Sequence, residues 1–293
     1  MYTLSQLFIM MLSILVAVGY FSLFERKVLS ISQTRVGPNK VAVVGVTQPL
    51  SDALKLISKQ VPSPHSSDKM IYLITPSILL ASTMAVWIVP WNFSIMDSDK
   101  GILIVIMILS MSSFGPIMTG WAANSKFSII GAMRAIAQTL SFEIIFSVSI
   151  MSFCLLELGF SAKALGKSLM TGLILPFSTI MLLISLLAES SRSPFDTPEG
   201  ESELVGGYSV DYGGSLYKVI FLMENISAGF GGAVMSMVCF PPFSWWKWIL
   251  FMTTLISIRA SLPRIRYDQI MYTCWIQMIP LSIGFLSLPP LII

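Results

Sequence analysis

The sequence predicts an all-α integral membrane helical bundle with eight transmembrane helices and a surface amphipathic helix, and three observations point there. Across 293 residues, 55% are hydrophobic and only 11% charged, with a mean hydropathy of +0.80. That is more apolar material than one soluble core of this size can bury. The excess is laid out in runs of about 20 residues, the length a helix needs to cross a hydrocarbon layer about 30 Å thick. These runs lack the alternation of barrel strands, and in lipid only helices or closed barrels satisfy every backbone N–H and C=O.

The expected spans are 3–24, 70–90, 101–122, 129–156, 168–190, 215–240, 243–262 and 269–290, within a single transmembrane domain over 1–293. The first runs from Met1 to "FERK" without a small-residue cleavage site, so it reads as a retained span. Between the first two spans, "VAVVGVTQPLSDALKLISKQ" is too interrupted to cross. Leu50, Leu54, Ile57 and Val61 follow helical spacing, Asp52, Lys55 and Lys59 lie off that stripe, and Pro49 suits a first turn. An amphipathic helix over about 42–60, lying on the inner membrane surface or packed on a partner, is expected. An even number of spans puts both termini on one side. Arg26, Lys27, Arg35, Lys40, Lys55, Lys59, Lys69, Lys126, Arg134, Arg192, Lys218, Arg259, Arg264 and Arg266 all fall at odd-numbered connections, leaving only Lys100, Lys163, Lys167 and Lys247 opposite. The odd connections therefore face the cytoplasm or the mitochondrial matrix.

Several chemistries find no footing. Cys154, Cys239 and Cys274 are far apart in apolar contexts, and His65 stands alone in a Pro/Ser loop, so no metal-ligand spacing exists. No phosphate-binding glycine motif and no internal repeat is evident, which argues against a nucleotide site and an inverted-repeat transporter.

The informative residues are carboxylates. A charge inside a spanning helix costs roughly 2.5–3.5 kcal/mol on insertion scales. Glu143 lies near mid-membrane, about 20 Å into its span at the helical rise of 1.5 Å per residue, and Glu224 about 13 Å into its own. Glu189 closes the fifth span, where Arg192 should meet it across one helical turn. Thr139, Glu143 and Ser147 share one face of the fourth span, and Arg134, Gln138 and Ser141 another. Burial and like-charge neighbours favour the protonated carboxyl, so three glutamates at graded depth suggest a proton path. Above them, an acidic inner loop over about 191–214 begins "RSPFDTPEGESE". Ser193-Pro194 and Thr197-Pro198 each offer a helix start, and one turn after Thr197 would set Glu199 and Glu203 on the same side.

The stretches "ERKVLSISQTRVGPNK", "QPLSDALKL", "SKFSIIGAMRAIAQTLSFE", "AESSRSPFDTPEGESELVGGYSVDY" and "LPRIRYDQIM" occur in an order that resembles subunit 1 of NADH:ubiquinone oxidoreductase, respiratory complex I, of the mitochondrially encoded type. The resemblance covers essentially the whole chain. It implies eight spans in the mitochondrial inner membrane, with the odd connections toward the matrix. It also implies a membrane-arm subunit that forms the ubiquinone access tunnel and the start of the proton path. The chain itself would hold no redox centre and be inactive alone. NADH, FMN and iron–sulfur clusters would belong to other subunits, and ubiquinone is the substrate. Partners would be the quinone-pocket hydrophilic subunits, neighbouring membrane-arm subunits and lipid, with no nucleic acid.

Carried over by motif, Glu25, Arg26, Arg35, Asp52, Arg259, Arg264 and Arg266 look like charged residues along the quinone tunnel. Arg192, Asp196, Glu199, Glu201, Glu203 and Asp211 correspond to the coupling loop, and Arg134, Glu143, Glu189 and Glu224 to the proton path. The chain departs from the family pattern at Gln60, Ser191, Asp211 and Asn225, where an acid, asparagine, glutamate and tyrosine are usual. A related framework serves as membrane anchor in energy-converting hydrogenase-type complexes, but full "RVGPNK" and "PRIRYDQ" blocks favour the quinone enzyme.

Overall fold

A computed structural model of the chain describes residues 2–62, 64–65, 67–87, 100–161, 171–198, 200, 204–241 and 244–289. Among them the only regular structure is helical: α1 (Tyr2–Ser32), α2 (Gln48–Ser58), α3 (Lys69–Val86), α4 (Gly101–Ala123), α5 (Lys126–Glu157), α6 (Thr171–Ile174), α7 (Pro176–Glu189), α8 (Gly214–Cys239) and α9 (Trp245–Ser261). The last apolar stretch, Tyr267–Leu286, runs as α10 (Tyr267–Tyr272), a π-helical turn (Thr273–Met278) and α11 (Ile279–Leu286). A single 3-10 turn, Gly207–Ser209, breaks the long connection before α8.

Six of these stretches are long and apolar enough to cross a membrane: Ser5–Ser32 of α1, α3, α4, α5, α8 and Tyr267–Leu286. Where a seventh and an eighth were expected, the helices are shorter. In the expected 168–190 span, Pro176 separates α6 from α7, whose continuous helix has 14 residues, and residues 162–170 lie outside the described chain. The stretch read as 243–262 contains α9, 17 residues long.

Two other boundaries move. The first helix does not stop at "FERK" but continues to Ser32, so Glu25 and Arg26 sit on α1 itself. Within 42–60 only Gln48–Ser58 is helical, and Pro49 does occupy its first turn. The preceding "AVVG" cannot join because Ala42, Val44 and Gly45 all have positive φ, a left-handed conformation that helices exclude. Lys27 closes that bend by donating to the Val44 carbonyl at 2.8 Å.

The bundle is centred on α8 and α5, of whose most apolar windows 67% and 50% of residues are buried, against 17% for Tyr267–Leu286. Small residues on α8 allow this: a Cβ on Gly231 would meet Leu186 of α7 at 3.0 Å. The α4–α5 corner is tight because Asn124 ends α4 in the left-handed conformation and Ser125 caps α5 through a capping box with Ser128. All three cysteines lie in the packed interior, Cys154 and Cys274 fully buried.

The connection from α7 to α8 is fastened to α5 at two places. Gln138, fully buried, donates to the carbonyls of Ala188 (2.9 Å) and Phe195 (2.7 Å) and accepts from the Thr197 hydroxyl (2.5 Å). Seven residues earlier, Gly131 lies under the 3-10 turn, where a Cβ would come within 2.7 Å of the Gly207 carbonyl carbon and the Tyr208 nitrogen.

Both fastenings make predictions. Gly131→Ala forces the 3-10 turn off α5 and costs about 1–3 kcal/mol, read as a lowered melting temperature of the assembled protein. Gln138→Leu orphans the Phe195 carbonyl and the Thr197 hydroxyl at roughly 1–3 kcal/mol each, and limited proteolysis should cut the connection faster than in the parent. Unchanged cleavage would show that Gln138 does not hold it.

Candidate functional site

Three elements deliver the intramembrane glutamates to one place. Glu143 from α5, Glu189 from the end of α7 and Glu224 from α8 line a single cavity of about 70 Å³. Its other polar lining comes from hydroxyl residues, among them Thr83, Ser113, Thr139, Ser185, Tyr208 and Ser227. A space of that size admits several waters, and this one offers them the polar partners they need. Carboxylates, hydroxyls and room for water in a low-dielectric interior are the parts of a proton relay.

The three glutamates read from the sequence as a graded series thus share one cavity, and a further link the sequence left unread joins them. Tyr208 donates its hydroxyl to Glu224 Oε1 at 2.5 Å. It does so because the 3-10 turn rests on Gly131, which aims the ring between α5 and α8. The aromatic in "GGYSVD" was visible, but nothing local in the sequence marks a carboxylate sixteen residues away as its acceptor.

A second cluster lies across α8. Glu25 of α1 is buried, and a single carboxylate oxygen accepts from both Arg192 and Arg259. Arg192 also donates to Asn225 Oδ1 at 2.5 Å, and its guanidinium lies 5.7 Å from the centre of the Phe21 ring. The turn expected between Glu189 and Arg192 is therefore replaced. Ser191 adopts φ +50°, reversing the chain after α7 and sending Arg192 away from its own helix toward α1. Helical spacing pairs residues three apart only while the helix continues.

Phe21 and Asn225 also line a mostly apolar cavity of about 160 Å³ between α1, α8 and α9, with Met10, Trp87, Trp245 and Trp248. An apolar space with one amide in its wall suits a ligand with an apolar tail and a polar head.

The remaining site residues are scattered around these two centres. Arg26 pairs with Asp52 of α2 at 2.8 Å, and Gln48 steadies the other oxygen at 2.9 Å. Arg264 pairs with Asp196 at 2.5 Å, joining the loop to the segment before α10. Asp211 accepts from Ser125 at 2.5 Å, so this shorter acid braces the start of α5. Arg35 is exposed and bonds Gln33 at 2.9 Å, and Arg266 is exposed at the start of α10. Arg134 does not line the carboxylate cavity; it stacks on Tyr267, 5.8 Å from the ring centre. Ser193-Pro194 does not start a helix, since residues 193–195 form a turn and bend, while the helix expected after Thr197-Pro198 falls largely outside the described residues. Glu199, Glu201 and Glu203 lie outside the described residues, as does the expected facing of Glu199 and Glu203.

Comparison with known proteins gives the chain a family. The profile of the family described as NADH dehydrogenase matches residues 5–288. The chain is 34% identical over 309 residues to NADH-ubiquinone oxidoreductase chain 1 of Monodelphis domestica, covering 98% of this chain and 96% of the relative. It is 36% identical over 306 residues to the protein of the same name from Tamias sibiricus, with the same coverage. To an NADH-quinone oxidoreductase subunit of Cupriavidus pinatubonensis it is 36% identical over 307 residues, covering 93% and 87%. With nearly its whole length matched by the family profile and by these relatives alike, the chain belongs to the NADH dehydrogenase family that includes chain 1 of NADH-ubiquinone oxidoreductase.

Proposed function

We propose that this chain is the membrane-arm subunit of a proton-pumping NADH:ubiquinone oxidoreductase, one that guides ubiquinone to its reduction site and begins the proton path. The observation that carries this reading is the meeting of Glu143, Glu189 and Glu224 in one cavity with room for water, linked by Tyr208 to a loop whose first charged residue, Arg192, bonds Asn225 in the wall of an apolar cavity. Electrons arrive from NADH through FMN and iron–sulfur clusters held by partner subunits, and this chain supplies position and protons.

In this reading the isoprenoid tail of ubiquinone travels past α1, α8 and α9. Glu25, Arg26, Arg35, Asp52, Arg259, Arg264 and Arg266 are the charged groups along its route. The Glu25–Arg192–Arg259 cluster and the Arg26–Asp52 pair, both on the inner side of α1, support that assignment. Quinone reduction consumes protons and changes the charge beside the loop of Arg192, Asp196, Glu199, Glu201, Glu203 and Asp211. A shift of that loop alters the Tyr208–Glu224 hydrogen bond. Protons then redistribute among Glu189, Glu224 and Glu143 and pass to the neighbouring membrane-arm subunits, with Arg134 at the inner end of α5.

The whole chain, 1–293, acts as one transmembrane domain of eight spans. At 17 residues α9 is roughly 26 Å long, close to the lower limit for crossing, and α6 leading into α7 completes the fifth span. Helix α2 lies on the inner surface. Leu50, Leu54 and Ile57 are exposed on it at 58%, 67% and 64%, ready to meet lipid. The basic residues place the odd connections in the matrix of the mitochondrion, where the hydrophilic subunits dock.

Reconstituted vesicles containing the assembled enzyme test the path. Glu143→Gln and Glu224→Gln should each lower NADH-driven proton uptake at least about tenfold, as expected when one group of a relay loses its proton. Intact translocation in both variants would remove the path. Glu199→Gln or Glu203→Gln should lower quinone reduction and pumping together, and normal pumping in both would remove the loop from the mechanism.

A further inference from the structure

The chemistry of Asn225 is determined by its surroundings. It has no solvent exposure. Its amide nitrogen donates to the Phe221 carbonyl one turn back on α8 at 2.7 Å, which leaves only the oxygen to face Arg192. The amide is thereby oriented as an acceptor. Arg192 meets it with one guanidinium nitrogen while the other reaches Glu25, and the group's face lies over Phe21. Three elements thus hold this arginine: α1 through Glu25 and Phe21, α8 through Asn225, and the chain reversal at Ser191. Asn225 and Phe21 are at the same time walls of the 160 Å³ apolar cavity. Arg192 itself lines a smaller adjoining space of about 20 Å³ with Phe21 and Glu25, so Asn225 and Phe21 stand between the guanidinium and the larger cavity, and loss of the Asn225 acceptor removes the contact that holds the guanidinium against that wall.

We infer that Asn225 is a positioning residue that holds Arg192 behind the wall of the apolar cavity and so keeps the quinone's route open. This rests on the reading of the chain as a quinone-guiding subunit and adds to it a specific division of labour. Electron transfer to quinone takes place in partner subunits, so a fault at Asn225 is a fault of access. It raises the KM for quinone and leaves the limiting rate in place.

The test is steady-state kinetics in membranes carrying the assembled enzyme, normalised to NADH oxidation by a hydrophilic artificial acceptor that takes electrons upstream of quinone. Asn225→Leu removes the acceptor at similar volume and should raise the KM for ubiquinone about tenfold, with kcat within about twofold, in line with loss of one hydrogen bond to a charged group. Asn225→Asp keeps an acceptor oxygen at the same reach and should bring KM back to within about threefold of the parent. Asn225→Ser is too short to reach Arg192 and should behave as leucine does, which keeps the test open if the leucine variant fails to assemble. A purely structural role predicts fewer assembled complexes in all three variants with unchanged KM in those that form, and that result overturns the inference. Arg192→Gln is the reference. A raised KM there with a parental KM in Asn225→Leu and Asn225→Ser removes Asn225 alone, whereas a parental KM in Arg192→Gln removes the quinone reading beneath it.

Discussion

The Glu25 carboxylate, buried between two arginines, is the contact on which the rest of the arrangement depends. Its partners are 167 and 234 residues away, so one oxygen ties α1, the start of the inner loop and the end of α9 into a single unit. Taking such charges out of water is expensive, and the cost is recovered only where geometry is good and the remaining donors are satisfied. Asn225 and the face of Phe21 provide that completion for Arg192. Without the cluster, the loop's first residue would have no reason to lie against α1, and α8 would lose the polar group that faces it.

Helix α8 is the wall between this cluster and the carboxylate cavity. Glu224 and Asn225 are consecutive, which in an α-helix turns them about 100° apart, and they open onto different spaces. Two indoles hold the wall in register: Trp87 donates to the Ile226 carbonyl at 3.3 Å and Trp248 to the Gly229 carbonyl at 2.9 Å. Both clusters are thus mounted on adjacent residues of one helix, which separates the two spaces.

How much of this could be read from the chain depends on whether the information was local. Position along a span is local, and it singled out the three glutamates as an ordered series; that they line one cavity comes from the packing of α5, α7 and α8, which no local count contains. The same local reasoning placed Arg192 on Glu189 and failed, because a single left-handed residue, Ser191, ended the helical register on which the i, i+3 rule relies. The amphipathic helix was visible in its stripe, but its start was not: Ala42 and Val44 adopt positive φ in a bend closed by Lys27, a contact from another element. Gln138 stood out as a polar residue in an apolar span. Two of its three partners are backbone carbonyls, one at the end of α7 and one in the loop, and a carbonyl acceptor leaves no mark in a sequence.

These fastenings define what the inner loop can do. It is held at its beginning by Arg192 on Glu25 and Asn225, next by Phe195 and Thr197 on Gln138, and near its end by Tyr208 on Glu224 and Asp211 on Ser125. Gln138 and Glu143 are five residues apart on α5, so the helix that anchors the loop also carries the deepest carboxylate of the cavity. A loop anchored at both ends cannot drift as a whole when charge changes beside it. Its response must appear as strain at those contacts, and of these, only Tyr208 donates a hydrogen bond to one of the cavity's three glutamates. Removing that hydrogen bond changes the solvation of Glu224 without moving any helix. The loop therefore reaches the carboxylate cavity through the Tyr208 hydroxyl, while Gln138 and the Glu25 cluster fasten it to the helices.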